Sequence, residues 1–343
     1  MSRESRKNIS KTEGEFGFIE RLSNVVSAAS DDGDKDIFVG IGDDGAVVGS
    51  PENNSILTTD ALVDGVHFKS SDGRWYDVGW KSAVSNLSDI AAMGGTPDHA
   101  LVTIGVPLNS PAEIFDGIYS GMNAAFQSFG GRVVGGDVVS SPTMFINVAL
   151  TGHTSVNANG EPILLTRNAA KSGDLVCITG TLGSSAGGLE VLRRKSTDTN
   201  SRVLIERHFH PIPRIDIGQA LLEAGVRCAM DISDGLIGDL EKIAIQSSVN
   251  IAIDLSKIPT EPELKSIFGE KAIDFALGGG EDYELVFTTS KSTLAQLNDK
   301  ERNSINIIGK VSKSSDNEGH VTVVDKNNKP YRALRKGWDH LSV

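Results

Sequence analysis

Cysteine is nearly absent from this chain: Cys177 and Cys228 are the two present among 343 residues. One lies in a strand-like run and the other just ahead of Asp231-Ile232-Ser233-Asp234-Gly235. So sparse a set argues against a disulfide framework or a zinc cluster, and both read as small buried hydrophobes. No run approaches the roughly 18 consecutive apolar residues of a membrane span, and residues 1–13 are too polar for a secretory signal, so a cytoplasmic protein is expected. Positive charge is scarce as well, with 33 Lys and Arg against 45 Asp and Glu and a formal charge of -12. That balance argues against a nucleic-acid or anionic-membrane surface, and an anionic substrate would need the help of a metal. The glycine-rich turn at Gly180–Gly188 lacks Gly-Lys-Ser/Thr, so there is no Walker A loop, and no HRD…DFG set is present.

What is there is a globular composition, 39% hydrophobic and 23% charged, long enough for about two domains. Residues 1–12 are polar and expected to be disordered. A short helix then opens at Gly14-Glu15-Phe16, followed by strand-like runs at 37–40, 56–59, 100–106, 132–135 and 144–152. Helices are expected over 77–93, with Asp77 as N-cap and Gly94-Gly95 as the stop, and over 111–129. The polar stretch 154–171 is the best linker, and a second alternation of strands and helices begins at Asp174. The expected architecture is α+β in two domains, 13–153 and 154–343, the first a sheet domain and the second resembling an α/β sandwich.

The chemistry is carried by aspartates beside glycine, serine or threonine at strand ends or on a small-residue helix. Such carboxylates suit a hard cation such as Mg²⁺, which takes oxygen donors and bridges protein to phosphate. Gly40-Ile41-Gly42-Asp43-Asp44-Gly45 formally matches GxGxxG, but Ala46–Ser50 reads as a strand, not the helix N-terminus a dinucleotide fingerprint requires. Leu57-Thr58-Thr59-Asp60 ends a strand with two hydroxyls and a carboxylate. His67, shortly after, reads equally as a phosphate partner or as a surface histidine in a turn. On helix 77–93 the apolar face holds Ala83, Val84, Leu87, Ile90 and Ala91, and the other face holds Ser82, Ser85, Asn86 and Asp89. Small polar residues in place of Lys, Glu or Arg let a ligand approach. Val134-Gly135-Gly136-Asp137, Asp231-Ile232-Ser233-Asp234 and Gly278-Gly279-Gly280-Glu281-Asp282 complete the set. A glycine turn is the bland reading of the first and last, and an N-cap that of Asp234.

Taken together, LTTDALVDGVHF, NLSDIAAMGG, DISDGL and GGGEDYEL closely resemble the thiamine-monophosphate kinase family. This family lies in the ATP-binding superfamily of aminoimidazole ribonucleotide synthetase, selenophosphate synthetase and a hydrogenase maturation factor. The resemblance runs from Gly14-Glu15-Phe16 to Gly337-Trp338-Asp339-His340. It implies ATP-dependent phosphorylation of thiamine monophosphate to thiamine diphosphate by direct in-line transfer, with no residue needed as general base. It implies several Mg²⁺ ions on Asp44, Thr58, Thr59, Asp60, Asp89, Asp137, Asp231 and Asp234. ATP is expected near Tyr119, Gly136, Asp137, Arg167 and Ser233, and the thiamine substrate near His67, Glu281 and Trp338. A homodimer joined through the N-terminal sheets is also implied. Selenophosphate synthesis is disfavoured by the absence of a reactive cysteine near the N-terminus. A Mg²⁺- or nucleotide-binding regulator would not need His67, Glu281 and Trp338.

Overall fold

The computed structural model describes residues 14–27, 36–50, 53–195, 200–315 and 318–339. The tail expected to be disordered, residues 1–12, and His340 lie outside the described residues. Helix α1 (Gly14–Ser27) precedes a first sheet built from β1 (Ile37–Val39), β2 (Ala46–Ser50), β3 (Asn53–Val63), β4 (Thr96–Val106), β5 (Val133–Ser140) and β6 (Phe145–His153), with α2 (Trp75–Ala92) and α3 (Ala112–Phe129) as its helices. Its strand order is β1-β2-β3-β6-β4-β5. All neighbours are antiparallel except β4 and β5, which run parallel and therefore need the α3 crossover between them.

The second sheet begins with β7 (Leu175–Thr179), then α4 (Ser184–Arg194), α5 (Ser201–Phe209), α6 (Ile215–Glu223), β8 (Cys228–Ile232), α7 (Leu236–Gln246) and β9 (Val249–Asp254). It closes with α8 (Pro262–Phe268), α9 (Ala272–Gly278), β10 (Glu284–Thr289), α10 (Lys291–Leu294), α11 (Asp299–Asn303), β11 (Ile305–Lys313) and β12 (His320–Val324). The order is β12-β9-β11-β7-β10-β8. Strands β7, β8 and β10 are buried almost throughout, which explains why their sequences read as continuous apolar runs and do not alternate. One face, with Cys177, Ala229, Leu285 and Phe287, shares a core with α2, α6 and the first sheet. The other, with Val176, Ile178, Met230 and Val286, packs on Leu236, Leu240 and Ile243 of α7. Burial pushes both thiols up to about 12, so Cys177 and Cys228 behave as the inert hydrophobes the sequence suggests.

Helix α2 thus lies between the two sheets, and this changes the meaning of its polar side. Ser82, Ser85, Asn86 and Ser88 are buried; Asn86 turns to the first sheet, where it accepts from the Asp60 amide, and Ser88 to the second, where it donates to Asp231. The other groups are satisfied locally: Ser82 Oγ donates to the Gly79 carbonyl at 2.8 Å, Ser85 Oγ to the Ser82 carbonyl at 3.3 Å and Asn86 Nδ2 to the same carbonyl at 3.1 Å. The helix also starts earlier than the sequence suggests. Arg74 is its N-cap, and Asp77 sits in the first turn, where its charge favours the helix N-terminus. Among the described residues no helix is long and apolar enough to cross a membrane.

Close approach, not flexibility, dictates the glycines on these helices. A Cβ on Gly79 would lie 1.8 Å from the Ile118 carbonyl oxygen of α3, and one on Gly218 of α6 would lie 2.2 Å from that of Ala91. On an exposed helix, glycine to alanine stabilises by about 1 kcal/mol. Gly79→Ala is expected to do the opposite, lowering stability by about 2 kcal/mol through overpacking. Urea denaturation checks this, and a stabilised variant would refute the close packing of α2 on α3.

Candidate active site

Three carboxylates from three separate elements converge where the two domains meet. Asp44 lies in the loop before β2, Asp89 in the last turns of α2, and Asp231 in β8. Each offers an oxygen, and these oxygens all lie within 4.8 Å of one another. Asp231 is 2% exposed and Asp44 8%. Their remaining partners hold them in place: Thr58 Oγ1 donates to Asp89, Ser88 Oγ to Asp231 at 2.8 Å and Ser233 Oγ to Asp231 at 3.1 Å. Arg167 binds Asp44 through Nη2 at 2.7 Å and Nε at 3.3 Å, and its backbone amide donates to Asp43.

So many like charges out of water are unfavourable, and the protonation equilibria show it. Burial, then the charges of Asp60 and Asp231, push Asp89 well above the usual carboxylate range. Burial, then Asp44 and Asp239, do the same to Asp231. Burial and Asp44 push Asp43 up to about 6. The Arg167 guanidinium is held charged by Asp44 despite the cost of its own burial. The donor set fits a hard cation: two oxygens on one Mg²⁺ are separated by about 3 to 4 Å, given bonds of about 2.1 Å, so the three carboxylates need close only slightly. A cation there offsets the repulsion that burial creates.

The remaining expected ligands divide between the two faces of the first sheet. Residues of even number in β3 face α2: Thr58 reaches Asp89, Asp60 raises its proton affinity, and Asn86 Oδ1 accepts from the Asp60 amide at 3.1 Å. Thr59 points the other way, donating to Asn147 Oδ1 at 3.2 Å. Asp137 shares that outer face, being opposite Thr103 in β5, and its carboxylate accepts from the Val138 amide at 2.9 Å. Strands β6 and β4 separate it from β3, a span of about 14 Å at ordinary strand spacing. Within one chain, therefore, Thr59 and Asp137 do not join the carboxylate cluster. Gly136 has a packing reason of its own, since a Cβ there would lie 1.9 Å from the Val102 carbonyl oxygen. Tyr119 sits on α3, packed against the first core.

A second group surrounds the Ser233–Gly235 loop. Asp234 is not the N-cap of α7; that is Gly235. The Asp239 carboxylate, inside the helix, accepts from the amides of Asp234 and Gly235 at 3.2 and 3.0 Å, and burial pushes it up to about 6. Lys242 Nζ bridges Asp234 at 2.7 Å and Asp239 at 2.9 Å. The Trp338 amide donates to the Asp234 carbonyl at 2.9 Å and the Glu281 amide to that of Ser233 at 2.7 Å, so two of the three expected substrate residues flank this loop. His67 is held by its own turn, its Nδ1 accepting from the Val63 amide at 3.0 Å, and it lies near enough to Glu281 to favour the ionised carboxylate. The amides of Gly183 and Ser185, at the start of α4, are taken by the Asp282 carboxylate at 2.7 and 3.2 Å. Burial pushes that carboxyl up to about 7. A cleft of about 810 Å³ lined by Tyr76, Trp80, Phe129, Arg207 and His210 lies elsewhere; none of the expected ligands borders it.

Three site residues escape a motif reading, Lys81, Asp239 and Lys242, while Ser88 lies within NLSDIAAMGG without being singled out. The pair Asp239 and Lys242 is at i, i+3 on α7, a signal present in the sequence but common on solvated helices. Lys81 leaves a fainter trace, being a lone cation on the small-residue side of α2.

Both halves of the chain match one class. The AIR synthase related protein N-terminal domain matches residues 42–154 and its C-terminal domain residues 171–322. Within that class the chain belongs to the thiamine-monophosphate kinase family. The thiamine-monophosphate kinase of Aquifex aeolicus (strain VF5) is 34% identical over 336 residues, covering 96% of this chain and 98% of that protein. That of Bacillus subtilis (strain 168) is 37% identical over 259 residues, covering 74% and 78%. The solved structure of AaThiL complexed with AMPPCP and TMP aligns with a TM-score of 0.83 at 34% identity, covering 99% of this chain and 100% of that one.

The raised carboxyls predict how stability depends on pH. Asp43, Asp239 and Asp282 move from 3.8 to about 6, 6 and 7, so the folded state binds more protons than the unfolded state across this window. Stability then falls as pH rises from about 4 to 7; Glu281 and Asp254, held low, and His208, lowered to about 3, act in the opposite sense and offset part of the fall. In a chelator, the urea midpoint should be lower at about pH 7.5 than at about pH 5. A higher midpoint at the upper pH would contradict the assigned shifts.

Proposed function

We propose that this protein transfers the terminal phosphoryl group of ATP to thiamine monophosphate, giving thiamine diphosphate and ADP. The observation that carries the reading is the alignment, over nearly the whole chain, with a solved structure holding AMPPCP and TMP. The buried carboxylates are the chemistry that such a pair of phosphorylated substrates requires. Asp44, Asp89 and Asp231 would hold Mg²⁺, with Thr58 and Asp60 beside them and Asp234 at the far end of the same loop. When bound, Mg²⁺ neutralises phosphate charge and lets polyphosphate approach an acidic protein.

An oxygen of the substrate's phosphate forms the new bond to the γ-phosphorus as the bond to the bridging oxygen of ADP breaks. That attacking oxygen is already ionised at neutral pH, so no side chain need remove a proton, and no phosphoenzyme forms. Positioning and charge stabilisation supply the catalysis. Arg167 and Ser233 border the cluster and suit the nucleotide phosphates. Glu281, His67 and Trp338 suit the thiamine moiety, Trp338 by stacking. ATP as co-substrate and two free, buried thiols suit the cytoplasm.

The outer face of the first sheet supports the homodimer. Leu57, Leu101 and Val139 are exposed there, Leu101 by 55%, and β5 ends the sheet with an open edge. Exposed apolar surface beside an unpaired edge favours association. A second copy on this face would cover Thr59 and Asp137, giving both a site that their own chain does not supply. In sedimentation velocity the protein should run at twice 36.4 kDa, and Leu101→Arg should shift it to monomer. A monomeric parent protein would remove the dimer.

The direct test is incubation with ATP, Mg²⁺ and thiamine monophosphate, with thiamine diphosphate the expected product. Asp89→Asn should lower kcat by about 100-fold or more, as loss of a charge from a metal-assisted centre does. Nucleotide binding without product would sink the reading.

A further inference from the structure

Lys81 is a buried cation that none of the motifs explains. Its side chain is 5% exposed, whereas that of Glu281 is 27% exposed. Its Nζ donates to Glu281 Oε2 at 2.9 Å, across 200 positions of sequence and from one domain to the other. Among the described residues this is its one hydrogen-bond partner, so the ammonium is committed to that carboxylate. A lysine so deep is retained only where a carboxylate needs it.

The loop that carries Glu281 is pinned from every side. Glu281 and Tyr283 have φ of 63° and 52°, a left-handed backbone that non-glycine residues hold only when their surroundings enforce it. The Glu281 amide donates to the Ser233 carbonyl at 2.7 Å and that of Tyr283 to the Ile232 carbonyl at 3.0 Å. Asp282 between them caps α4. With the backbone fixed, the direction of the Glu281 side chain depends on what it touches, and that is Lys81.

We propose that Lys81 is a positioning residue for substrate recognition, orienting Glu281 so that its exposed carboxylate receives the thiamine moiety of thiamine monophosphate. This rests on thiamine monophosphate being the substrate. Lys81 itself is too enclosed to be the contact; it works from behind Glu281. A carboxylate fixed in this way can accept from the amino group of the pyrimidine ring, and a protonated or rotated one presents different acceptors. The charged and titratable groups facing Glu281 are Lys81 on α2, His208 on α5, His67 in the turn after β3, and Asp282, Tyr283 and Glu284 beside it. His208 Nδ1 lies 3.5 Å from the same Oε2 and 3.1 Å from Ser185 Oγ, and burial, then Lys81, lower it to about 3. It is therefore neutral, and Lys81 is the full charge in contact with Glu281. Burial favours a protonated Glu281, and the charge and hydrogen bond of Lys81 lead what outweighs it.

The test has two arms. In the first, ¹³C NMR follows the Glu281 carboxyl, assigned with Glu281→Gln, in the unsubstituted protein and in Lys81→Met. The resonance should titrate at distinctly higher pH in the variant, because burial is no longer opposed; an unmoved midpoint overturns the coupling, whatever the substrate. In the second, Lys81→Met should raise KM for thiamine monophosphate about 10-fold or more near neutral pH, with KM for ATP changed less than about 2-fold. The defect should deepen as pH falls, and Lys81→Arg should restore most of the affinity. A variant with unchanged KM, or a defect shared equally by both substrates and independent of pH, overturns the role of Lys81 while leaving the reaction intact. Failure of the unsubstituted protein to phosphorylate thiamine monophosphate would instead overturn the substrate on which the proposal rests, and the NMR arm would still decide the coupling.

Discussion

The packing of α2 between two sheets is the constraint on which the rest depends. A helix buried on all sides cannot carry long solvated side chains, so it carries glycine, alanine and serine. Those small residues bring α3 and α6 to backbone contact and bring β8 close enough for Ser88 to bind Asp231. The same helix delivers Lys81 to Glu281 and, two turns on, Asp89 to Asp44 and Asp231. One rigid element therefore sets the distance between the carboxylate cluster and the Lys81–Glu281 pair.

The electrostatic design follows from that geometry. Burying several carboxylates together is costly, and the protein supplies only part of the compensation from its own cations. Arg167 answers Asp44, Lys242 answers Asp234 and Asp239, and Lys81 answers Glu281. Among the described residues, Asp89 and Asp231 have only hydroxyls as hydrogen-bond donors, from Thr58, Ser88 and Ser233. The charge left uncompensated is greatest where the three carboxylates meet, and on the proposed function a cation would answer it there. Glu281 and Tyr283 store backbone strain in the neighbouring loop.

Much of this was legible because function here uses short local signatures. Aspartate beside glycine or threonine at a strand end is visible without a fold, and Asp44, Asp89 and Asp231 do meet, with Asp60 near Asp89. Three things were not visible. The polar side of α2 reads as an accessible face because helical periodicity separates two sides without saying what covers either one. Thr59 and Asp137 read as members of one cluster because strand alternation and strand order, not proximity in sequence, decide which face and which strand a side chain occupies. Asp234 reads as a helix cap, yet Asp239 from within α7 takes the free amides and leaves Asp234 to Lys242.

The sequence by itself determined the two-domain α+β alternation, the oxygen-rich ligand chemistry and the family. Each of these is carried by residue type and short spacing, which survive without coordinates. The tertiary structure alone decided which carboxylates converge, which face of the first sheet stays open, and that Lys81 stands behind Glu281. These are contacts between residues 31 to 200 positions apart. Their partners are chosen by how two sheets close on one helix, and no local pattern records that choice.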